Sequence, residues 1–273
     1  MRYDAVLSFH MNEFSCGVAR FNKQLAQRLG VPCLPLDAKG CRYPLVSVKI
    51  GEMPECTRLT HAWEYDLLFH DRPQRAWPAN ARRIFYADEI GIPSILVGNP
   101  TRGVLNVLLF GMSNKLNSHT VYVERLRDLL AGHPDYTVSV STAVHEGSPW
   151  DGAFTTTVET LRRVFGDHLR VLGYLADDAL AKELRDCTAA ALFFDPAARA
   201  NNTSLWAALE AGCPVVTNLD DQSPPDLIHT QTVFDLKRLT EWPSWDLLDD
   251  VTRGGREAVK GRSWERLIAV LRA

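Results

Sequence analysis

Arg199-Ala-Asn-Asn-Thr-Ser-Leu-Trp-Ala-Ala-Leu-Glu-Ala-Gly-Cys-Pro-Val-Val-Thr217 is the most informative stretch of this chain. It begins with small polar residues, continues through about two helical turns of mainly Ala and Leu, and ends in Gly212 before the short apolar run Pro214 to Thr217. This order predicts a helix with a polar N-terminus that leads into a buried parallel strand. Backbone N–H groups and the positive end of the helix dipole point at the ligand at such a helix start. The stretch therefore predicts phosphate or diphosphate binding beside a parallel α/β sheet.

Four consecutive polar side chains stand at the start of this predicted helix: Asn201, Asn202, Thr203 and Ser204. One such residue suffices to cap a helix, so four in a row favour a ligand, with ordinary capping as the alternative. Arg199, just before them, is a candidate cation for binding a diphosphate. Alternatively, it is a plain surface arginine.

Composition and charge argue against several classes of function for this chain. Lys and Arg total 30 and Asp and Glu total 33, which gives a formal net charge of −3 and no electrostatic reason to expect nucleic-acid binding. No apolar run reaches the ~18 residues of a membrane helix, which argues against a transmembrane segment and leaves peripheral membrane contact open. The N-terminal residues are typical of a first strand rather than of a signal peptide. The six cysteines form no Cys-x-x-Cys pair or zinc template, so we expect free thiols in a reducing cytoplasm and no bound metal.

Short apolar, β-branched runs alternate with segments of helical spacing along the chain. This alternation is typical of an α/β fold with mostly parallel strands. The predicted strands are 4–9, 31–36, 45–50, 65–70, 83–86, 106–110, 137–141, 169–172, 190–194, 214–217 and 233–236. The predicted helices are 18–29, 120–131, 155–165 and 178–187, together with the one between Arg199 and Gly212 and a tail from Ser244 that breaks at Gly254-Gly255.

A cluster of turn-forming residues, Gly98-Asn-Pro-Thr-Arg-Gly103, separates two series of strands. It predicts two Rossmann-like domains, residues 1–103 and 104–243, followed by a helical tail at 244–273. In open α/β sheets, ligands bind at the carboxyl ends of the strands. The polar residues that follow the predicted strands are therefore the candidates for a site.

Four positions after predicted strands can be interpreted in two ways. Lys115 follows Gly111 and is a candidate for the diphosphate, or a solvated loop lysine. His10 follows one predicted strand of the first domain and His70 ends another; both are candidates for contact with a substrate, or polar residues of the core. Asp220-Asp221 is interpreted as a solvated turn rather than a metal site, because no third ligand is placed nearby.

The order of the motifs resembles that of retaining glycosyltransferases with the GT-B fold, in the manner of glycosyltransferase family four. The resemblance covers most of the chain and rests on six segments: Gly17-Val-Ala-Arg-Phe-Asn-Lys-Gln-Leu-Ala-Gln-Arg-Leu29, Gly98-Asn-Pro100, Val107-Leu-Leu-Phe-Gly-Met-Ser-Asn-Lys115, Leu172-Gly-Tyr-Leu-Ala-Asp-Asp-Ala-Leu180, Pro214-Val-Val-Thr217 and Gly261-Arg-Ser-Trp-Glu-Arg-Leu-Ile-Ala269. Each segment is weak alone, but six in the same order are specific for the fold. The resemblance implies an α/β protein of two Rossmann-like domains facing a cleft, with a C-terminal tail that packs back on the first domain.

The resemblance also implies a reaction and the residues for it. A sugar is transferred from a nucleotide-diphosphate donor, a UDP- or GDP-sugar, to a small-molecule or glycan acceptor, with retention and without a metal or further cofactor. His70 and His10 are then expected to be the catalytic residues at the sugar. The expected donor-binding residues are Gly17, Gly111, Lys115, Tyr174, Arg199, Asn201, Asn202, Thr203 and Ser204, with Tyr174 beside the base. Without a metal, cations and helix N-termini must stabilise the leaving diphosphate.

The chain departs from the family's pattern in two ways. The family usually carries two glutamates eight positions apart around the diphosphate helix, and these positions are Arg199 and Ala207 here. Glu210 lies on the same predicted helix but nearly on its opposite face. The chain is also short for the fold, so we expect a reduced first domain on the acceptor side.

Three other functions stay open. The missing glutamates favour a non-catalytic GT-B-like binding or scaffold protein, for example a partner of an active transferase. A nicotinamide-dependent Rossmann enzyme would carry Gly-x-Gly-x-x-Gly after a first strand, and neither first strand is followed by it. A sugar-nucleotide epimerase of the same fold would need paired carboxylates and histidines in the cleft.

Overall fold

The computed structural model describes residues 3–13, 16–49, 64–70, 81–91, 105–112, 120–143 and 150–272. The chain forms two compact units, Met1–Pro93 together with Arg262–Ala273, and Ser94–Gly261. The described part of each unit contains a parallel β-sheet, which confirms the α/β class predicted from the alternating pattern. The predicted domain boundary at 103/104 lies outside the described residues and stays a prediction.

The first unit is built on a sheet in the order β2-β1-β3-β4-β5, in which every neighbouring pair of strands is parallel. Its strands are β1 Val6–Ser8, β2 Cys33–Pro35, β3 Leu45–Val48, β4 Tyr65–Phe69 and β5 Ala81–Tyr86. Helix α1, Gly17–Leu29, follows β1, and the short helix α2, Ala87–Ile90, follows β5.

The second unit is built on a parallel sheet in the order β11-β10-β9-β6-β7-β8. Its strands are β6 Asn106–Met112, β7 Thr137–Ala143, β8 Leu169–Gly173, β9 Ala189–Leu192, β10 Val215–Thr217 and β11 Phe234–Asp235. Its helices are α3 Thr120–Leu130, α4 Trp150–Phe165, α5 Asp177–Asp186, α6 Thr203–Glu210 and α7 Trp245–Val259. Here α6 and β10 are the helix and the strand predicted between Arg199 and Thr217.

Both faces of the second sheet are buried, as the nearly unbroken apolar sequence of β6 requires. Val107 and Leu109 belong to one core cluster, which includes residues of α3, α4 and α7. Leu108 and Phe110 belong to the other cluster, with residues of α5 and α6. Because successive side chains of a strand point to opposite faces, helices on both faces are needed to cover such a run.

Helix α1 has the signals that make a helix predictable from sequence. Its buried residues Phe21, Leu25 and Leu29 recur at helical spacing. Gly30 takes a φ of 73°, and its N–H group donates to the carbonyl oxygens of Ala26 and Gln27. The helix therefore ends in a left-handed cap, a conformation that favours glycine.

The terminal helix α8, Trp264–Arg272, belongs to the first unit, whereas α7 belongs to the second. Trp264 stacks on Phe21 of α1, with the ring centroids 5.3 Å apart. Near the end of α8, the carbonyl oxygen of Leu271 accepts a hydrogen bond from Arg83 Nη2 at 3.2 Å and lies 3.0 Å from Tyr3 Oη, whose proton is donated to Asp66. The segment predicted as one tail at 244–273 is thus divided between the two units.

The predicted break at Gly254-Gly255 is wrong, because α7 continues through both glycines. A Cβ atom on Gly255 would lie 2.8 Å from Leu209 Cδ2 of α6, and one on Gly254 would collide with the carbonyl oxygen of Gln231. The glycines therefore let α7 approach α6 and the loop before β11 closely. This packing outweighs the low helix propensity of glycine, which costs only about 1 kcal/mol per residue.

No helix in the described part of the chain is long and apolar enough to cross a membrane. The sequence predicts free thiols, and those among the described residues are three buried ones, Cys16, Cys187 and Cys213, and two partly exposed ones, Cys33 and Cys41; Cys56 lies outside the described residues. The Sγ atoms of Cys187 and Cys213 lie 3.3 Å apart. This hydrogen bond and burial raise the pKa of Cys187 well above its ordinary value, so it stays a thiol.

Candidate functional site

The second sheet changes its direction of growth at β6. From β6 the chain adds β7 and β8 on one side, and it then returns to add β9, β10 and β11 on the other. The parallel neighbours β6 and β9 meet in register, with Leu108 beside Ala190. The crevice at the carboxyl ends of two such strands is the usual ligand site of an open α/β sheet. Gly111 at the end of β6 and residues 193–202 after β9 flank this crevice.

The segment after β9 is held by Asn218, a fully buried residue that follows β10. The side-chain amide of Asn218 donates to the carbonyl oxygens of Phe194 and Pro196 at 2.8 and 2.9 Å, and its Oδ1 accepts from the Phe194 N–H at 2.9 Å. The carbonyl oxygen of Asn218 accepts from the Ala198 N–H at 2.9 Å. Asn218 therefore fixes the backbone that leads into α6.

Arg199 is paired with Asp220. Its Nη1 and Nη2 atoms donate to the two carboxylate oxygens, each at 2.7 Å, and Nη1 also donates to the carbonyl oxygen of Ala198 at 2.9 Å. The hydrogen bond from Arg199 lowers the pKa of Asp220 below its ordinary value. The guanidinium group expected to bind a diphosphate thus already has a carboxylate partner.

Helix α6 begins directly after Asn202, and the side chain of Asn202 does not cap it. Asn202 Oδ1 instead accepts from the backbone N–H of Arg199 at 2.6 Å, so Asn202 does not provide the helix capping that the sequence left open as the alternative to a ligand. Among the described residues, none accepts a hydrogen bond from the backbone N–H groups of Ala200, Asn201 or Ser204. The start of α6 therefore offers several backbone donors together with the positive end of the helix dipole.

Other predicted residues lie at the same edge of the second sheet. Gly111 has a φ of 138°, which favours glycine, and a Cβ atom there would meet no described residue within 4 Å. Tyr174 directly follows β8, with 47% of its surface exposed. Thr142, the register partner of Gly111, and Thr217 at the end of β10 have buried hydroxyls without a hydrogen-bond partner in the described part of the chain. Thus Gly111, Tyr174 and residues 199–204 share one sheet edge.

His10 and Gly17 belong to the first unit, whereas Arg199 belongs to the second. The carbonyl oxygen of His10 accepts from Ser8 Oγ at 2.7 Å, and its ring meets that of Phe9 edge-on, with centroids 4.8 Å apart. Gly17 is the first residue of α1, so this helix also begins beyond the carboxyl end of a parallel strand.

His70 follows β4 and is buried in a network of hydrogen bonds whose protons can be assigned. Ser47 Oγ donates to Asn22 Oδ1 at 2.6 Å, so it accepts from His70 Nε2 at 3.0 Å. Asn22 Nδ2 donates to Ser8 Oγ at 2.9 Å and to the carbonyl oxygen of Ser47 at 3.0 Å. The ring of Phe21 lies edge-on to His70, with centroids 4.9 Å apart. We call these four hydrogen-bonded residues, His70, Ser47, Asn22 and Ser8, the His70 network.

Burial lowers the pKa of His70 to about 3, and the charge of Lys49 acts in the same direction. The ring is therefore neutral near pH 7 and carries its proton on Nε2. These are the contacts of a satisfied core histidine, the alternative that the sequence left open, and a catalytic role for His70 stays a prediction.

Two predictions from the sequence concern ligands: a role for Lys115 in binding the diphosphate and a site without a metal. Lys115 lies outside the described residues, so its role stays a prediction. Among the described residues, no group of three or more His, Cys, Asp or Glu side chains is arranged to hold a metal ion. Asp220, which the sequence placed in a solvated turn, is the residue that sequence reasoning missed. Its position in the loop after a predicted strand, three residues beyond Thr217 and at the same edge as Arg199, is the signal that could have found it.

Comparison with known proteins adds the fold family. By sequence, the chain matches no protein-family model and no curated protein. By structure it is similar to HepE from Anabaena, solved with UDP and glucose, at 9% identity and a TM-score of 0.61, over 99% of this chain and 100% of HepE. A glycosyltransferase from Rickettsia africae matches at 9% identity and a TM-score of 0.58, over 98% of this chain and 96% of the other.

A third similar structure is TarM, at 10% identity and a TM-score of 0.54, over 84% of this chain. The chain spans about half of TarM, 53% of its length. These proteins are GT-B glycosyltransferases. The chain has the GT-B fold. Likeness at this level of identity shows the fold alone, which has two Rossmann-like units. The start of α6 and the end of β6 both lie in the second unit of this chain.

Proposed function

We propose that the chain is a glycosyltransferase that binds the diphosphate of a UDP- or GDP-sugar at the start of α6. It transfers the sugar to a small-molecule or glycan acceptor, with retention and without a metal. The observation that carries this proposal is the set of backbone N–H groups at Ala200, Asn201 and Ser204 that no described residue accepts from, in a chain with the GT-B fold. HepE, which shares this fold, was solved with UDP and glucose.

The chemistry of the transfer explains why these donors matter. When the glycosidic bond to the nucleotide breaks, negative charge develops on the leaving diphosphate. Oriented N–H groups at a helix start stabilise such charge without the cost of reorganising solvent. On the other side of the crevice, a Cβ atom at Gly111 would meet no described residue within 4 Å, and a longer side chain there would restrict the approach of a phosphate. Lys115 supplies a cation in this proposal, and Tyr174 lies beside the base.

The free thiols support a reducing compartment, and we place the protein in the cytoplasm. Peripheral contact with a membrane is compatible with a glycan acceptor. The first unit, with the predicted catalytic residue His10, supplies the acceptor side in this proposal, and Gly17 keeps its predicted role in donor binding.

A non-catalytic GT-B-like binding protein is the second candidate. The pairing of Arg199 with Asp220 favours it, because this pair neutralises the cation next to the diphosphate site. Such a protein would bind a nucleotide without transferring its sugar.

Titration calorimetry with UDP, GDP, ADP, TDP and their common sugar conjugates in EDTA, together with an assay of nucleoside diphosphate release, tests the proposal. We expect selective binding of one base and release of its diphosphate. Lys115→Ala should weaken binding about tenfold, the loss of one charge-assisted contact. The control Lys182→Ala removes a charge from the same unit, where Lys182 pairs with Asp186 on the surface of α5, and should bind as the wild type does.

The outcomes separate the candidates. Binding without turnover of any donor would select the non-catalytic protein. No binding of any nucleoside diphosphate would overturn the site at α6. Turnover that EDTA abolishes would remove metal independence and leave the transferase.

A further inference from the structure

Trp206 lies in α6 with none of its surface exposed, and it makes a hydrogen bond that the helix itself does not require. Its indole Nε1 donates to the carbonyl oxygen of Ala200 at 2.7 Å. The ring belongs to the core cluster that also contains Leu205 and Leu209, so its position is set by packing. A buried ring with a fixed N–H group therefore holds one particular carbonyl of the segment before α6.

This hydrogen bond determines the direction of the next donor. The carbonyl of Ala200 and the N–H of Asn201 belong to one planar trans peptide group, in which they point to opposite sides. Because the indole draws the carbonyl toward the core, the N–H of Asn201 points away from it. The carbonyl oxygen of Arg199 likewise accepts from the N–H of Asn202 at 3.1 Å. Because the carbonyl of Arg199 and the N–H of Ala200 belong to one trans peptide group, the N–H of Ala200 points away from this hydrogen bond.

A second feature near this segment is a buried hydroxyl without a partner. Thr217 is fully buried, and its Oγ1 has no hydrogen-bond partner among the residues that the structure describes. Thr217 lies two residues after Val215 on β10, so it shares the sheet face that α6 covers. The orphaned hydroxyl lies at the carboxyl end of β10, on the sheet edge where α6 begins, and leaves a hydrogen bond that a polar ligand can complete.

We propose that Trp206 is a positioning residue for the donor diphosphate, because its indole N–H holds the Ala200–Asn201 peptide with the amide N–H turned toward the ligand. The inference rests on the proposed function, since it concerns the same anion site. Backbone N–H groups bind anions well when they are oriented before the ligand arrives. Without the indole bond, this peptide rotates and the anion must order it.

The test compares two tryptophan variants with inorganic pyrophosphate, UDP and uridine as probes. Trp206→Phe keeps a buried aromatic ring and removes the N–H donor. It should weaken binding of pyrophosphate and UDP roughly five- to tenfold, the worth of one hydrogen bond, and leave binding of uridine unchanged. The matched control is Trp242→Phe, at a buried tryptophan of the same unit whose indole donates to none of the described residues. This control should bind all three probes as the wild type does.

A second measurement needs only the wild-type protein. The indole N–H resonance of Trp206, assigned by its loss in Trp206→Phe or by direct assignment, should shift during titration with pyrophosphate. The Trp242 resonance should stay in place. If Trp206 served only the packing of the core, its resonance would not shift during the titration, and Trp206→Phe would not change the ratio of UDP to uridine affinity.

The failures of the two proposals are distinguishable. If the wild type binds neither pyrophosphate nor UDP, the anion site and this inference both fail. If it binds them and Trp206→Phe binds equally well, the inference is wrong and the proposed function stands. If Trp206→Phe does not fold, an unshifted Trp206 resonance in the wild type at saturating pyrophosphate is the result that overturns the inference.

Discussion

The His70 network and the start of α6 both place polar groups beyond the carboxyl ends of parallel strands, and they differ in how these groups are bonded. In the His70 network, His70 Nε2, Ser47 Oγ and both donors of Asn22 have acceptors within the first unit. At the start of α6, side chains fix the backbone while the N–H groups of Ala200 and Asn201 keep no described acceptor. Polar groups that serve the fold are therefore hydrogen-bonded to each other, whereas a ligand site is marked by a fixed backbone whose N–H donors have no described acceptor.

The physical reason is the cost of burying a polar group. A donor removed from water without an acceptor loses about 1–3 kcal/mol, so a network inside the core must be complete. Donors at a sheet edge can exchange water for a ligand and do not carry this cost. Asn side chains therefore act differently in the two regions: Asn22 completes a buried network, whereas Asn202 fixes the backbone beside N–H groups that have no described acceptor.

The largest expected effect comes from another completely bonded cluster of the first unit, around Asp66. Its buried carboxylate accepts from Arg83 Nη2, Tyr3 Oη and Tyr43 Oη at 2.7, 2.7 and 2.6 Å. We predict that Asp66→Asn lowers the free energy of unfolding by about 3 kcal/mol, because a buried pair is broken and a charge is left uncompensated. Urea unfolding measures this change. Pyrophosphate binding should be unaffected, and a loss of binding would contradict the separation of structural and ligand-binding polarity.

The matched control for this variant is Glu64→Gln. Glu64 pairs with Arg82 on the surface at 2.7 Å, with 61% of its side chain exposed. An exposed ion pair contributes little, so this variant should unfold as the wild type does.

The second prediction concerns the pH dependence of stability. The pKa of His70 is lowered to about 3 by burial, with Lys49 contributing in the same direction, whereas an unfolded histidine has a pKa of about 6.5. Below pH 6.5 the unfolded chain therefore binds a proton that the folded chain does not, and stability falls by up to ~1.4 kcal/mol per pH unit. We predict a loss of roughly 2–3 kcal/mol between pH 6.5 and about pH 4.5 that His70→Asn removes.

The pH window separates this effect from that of Asp66. Burial would raise the pKa of Asp66, but the hydrogen bonds from Arg83, Tyr43 and Tyr3 outweigh it and lower the pKa. Because the folded pKa is depressed, the contribution of Asp66 is present above about pH 4 and lost only at lower pH. Urea unfolding of wild type and His70→Asn at several pH values between 4.5 and 6.5 measures the histidine alone. Identical slopes for the two proteins would contradict a buried, neutral His70.

Local signals explain which parts were predictable from sequence. Helix α6 and strand β10 were predictable because the apolar run, Gly212 and the polar start lie within one short segment. The pair of Arg199 and Asp220 was not, because the two residues are 21 positions apart and meet only when β9 and β10 are side by side. The hydrogen bond of Trp206 has no sequence signal, since its position fits an apolar helix face equally well.

The third prediction tests the backbone before α6. Asn202→Ala removes the oxygen that accepts from the Arg199 N–H at 2.6 Å. We expect the free energy of unfolding to fall by about 1 kcal/mol, the net worth of one hydrogen bond. Pyrophosphate binding should weaken as well, because the segment that carries the donors becomes less ordered. Calorimetry measures the binding, and a variant that loses stability but binds normally would show that this bond serves the fold alone.

The smallest expected change in stability is that of Asp220→Asn. The pair with Arg199 is partly exposed, so its loss should cost less than about 1 kcal/mol. Binding should change in the opposite direction from Asn202→Ala, because a carboxylate charge is removed beside the anion site and Arg199 is freed for the ligand. We predict binding of pyrophosphate about threefold tighter at low salt, with the gain lost at high salt.

The control for this charge change is Asp221→Asn, at the neighbouring carboxylate of the same turn, which is exposed as Asp220 is. It removes the same charge from the next residue and should bind pyrophosphate as the wild type does. Weaker binding by Asp220→Asn would instead mean that the ion pair keeps the segment before α6 in its binding conformation.

The contacts of the Leu271 carbonyl oxygen with Arg83 and Tyr3 have a consequence for synthesis of the chain. The second unit is continuous in sequence, from Ser94 to Gly261, so all of its residues are available once that segment has left the ribosome. The first unit is not, because α8 is made after the whole of the second unit. Domains generally fold as units, with the N-terminal one first during synthesis. In this chain, the unit whose strands are translated first receives its last helix only after the whole of the other unit has been made.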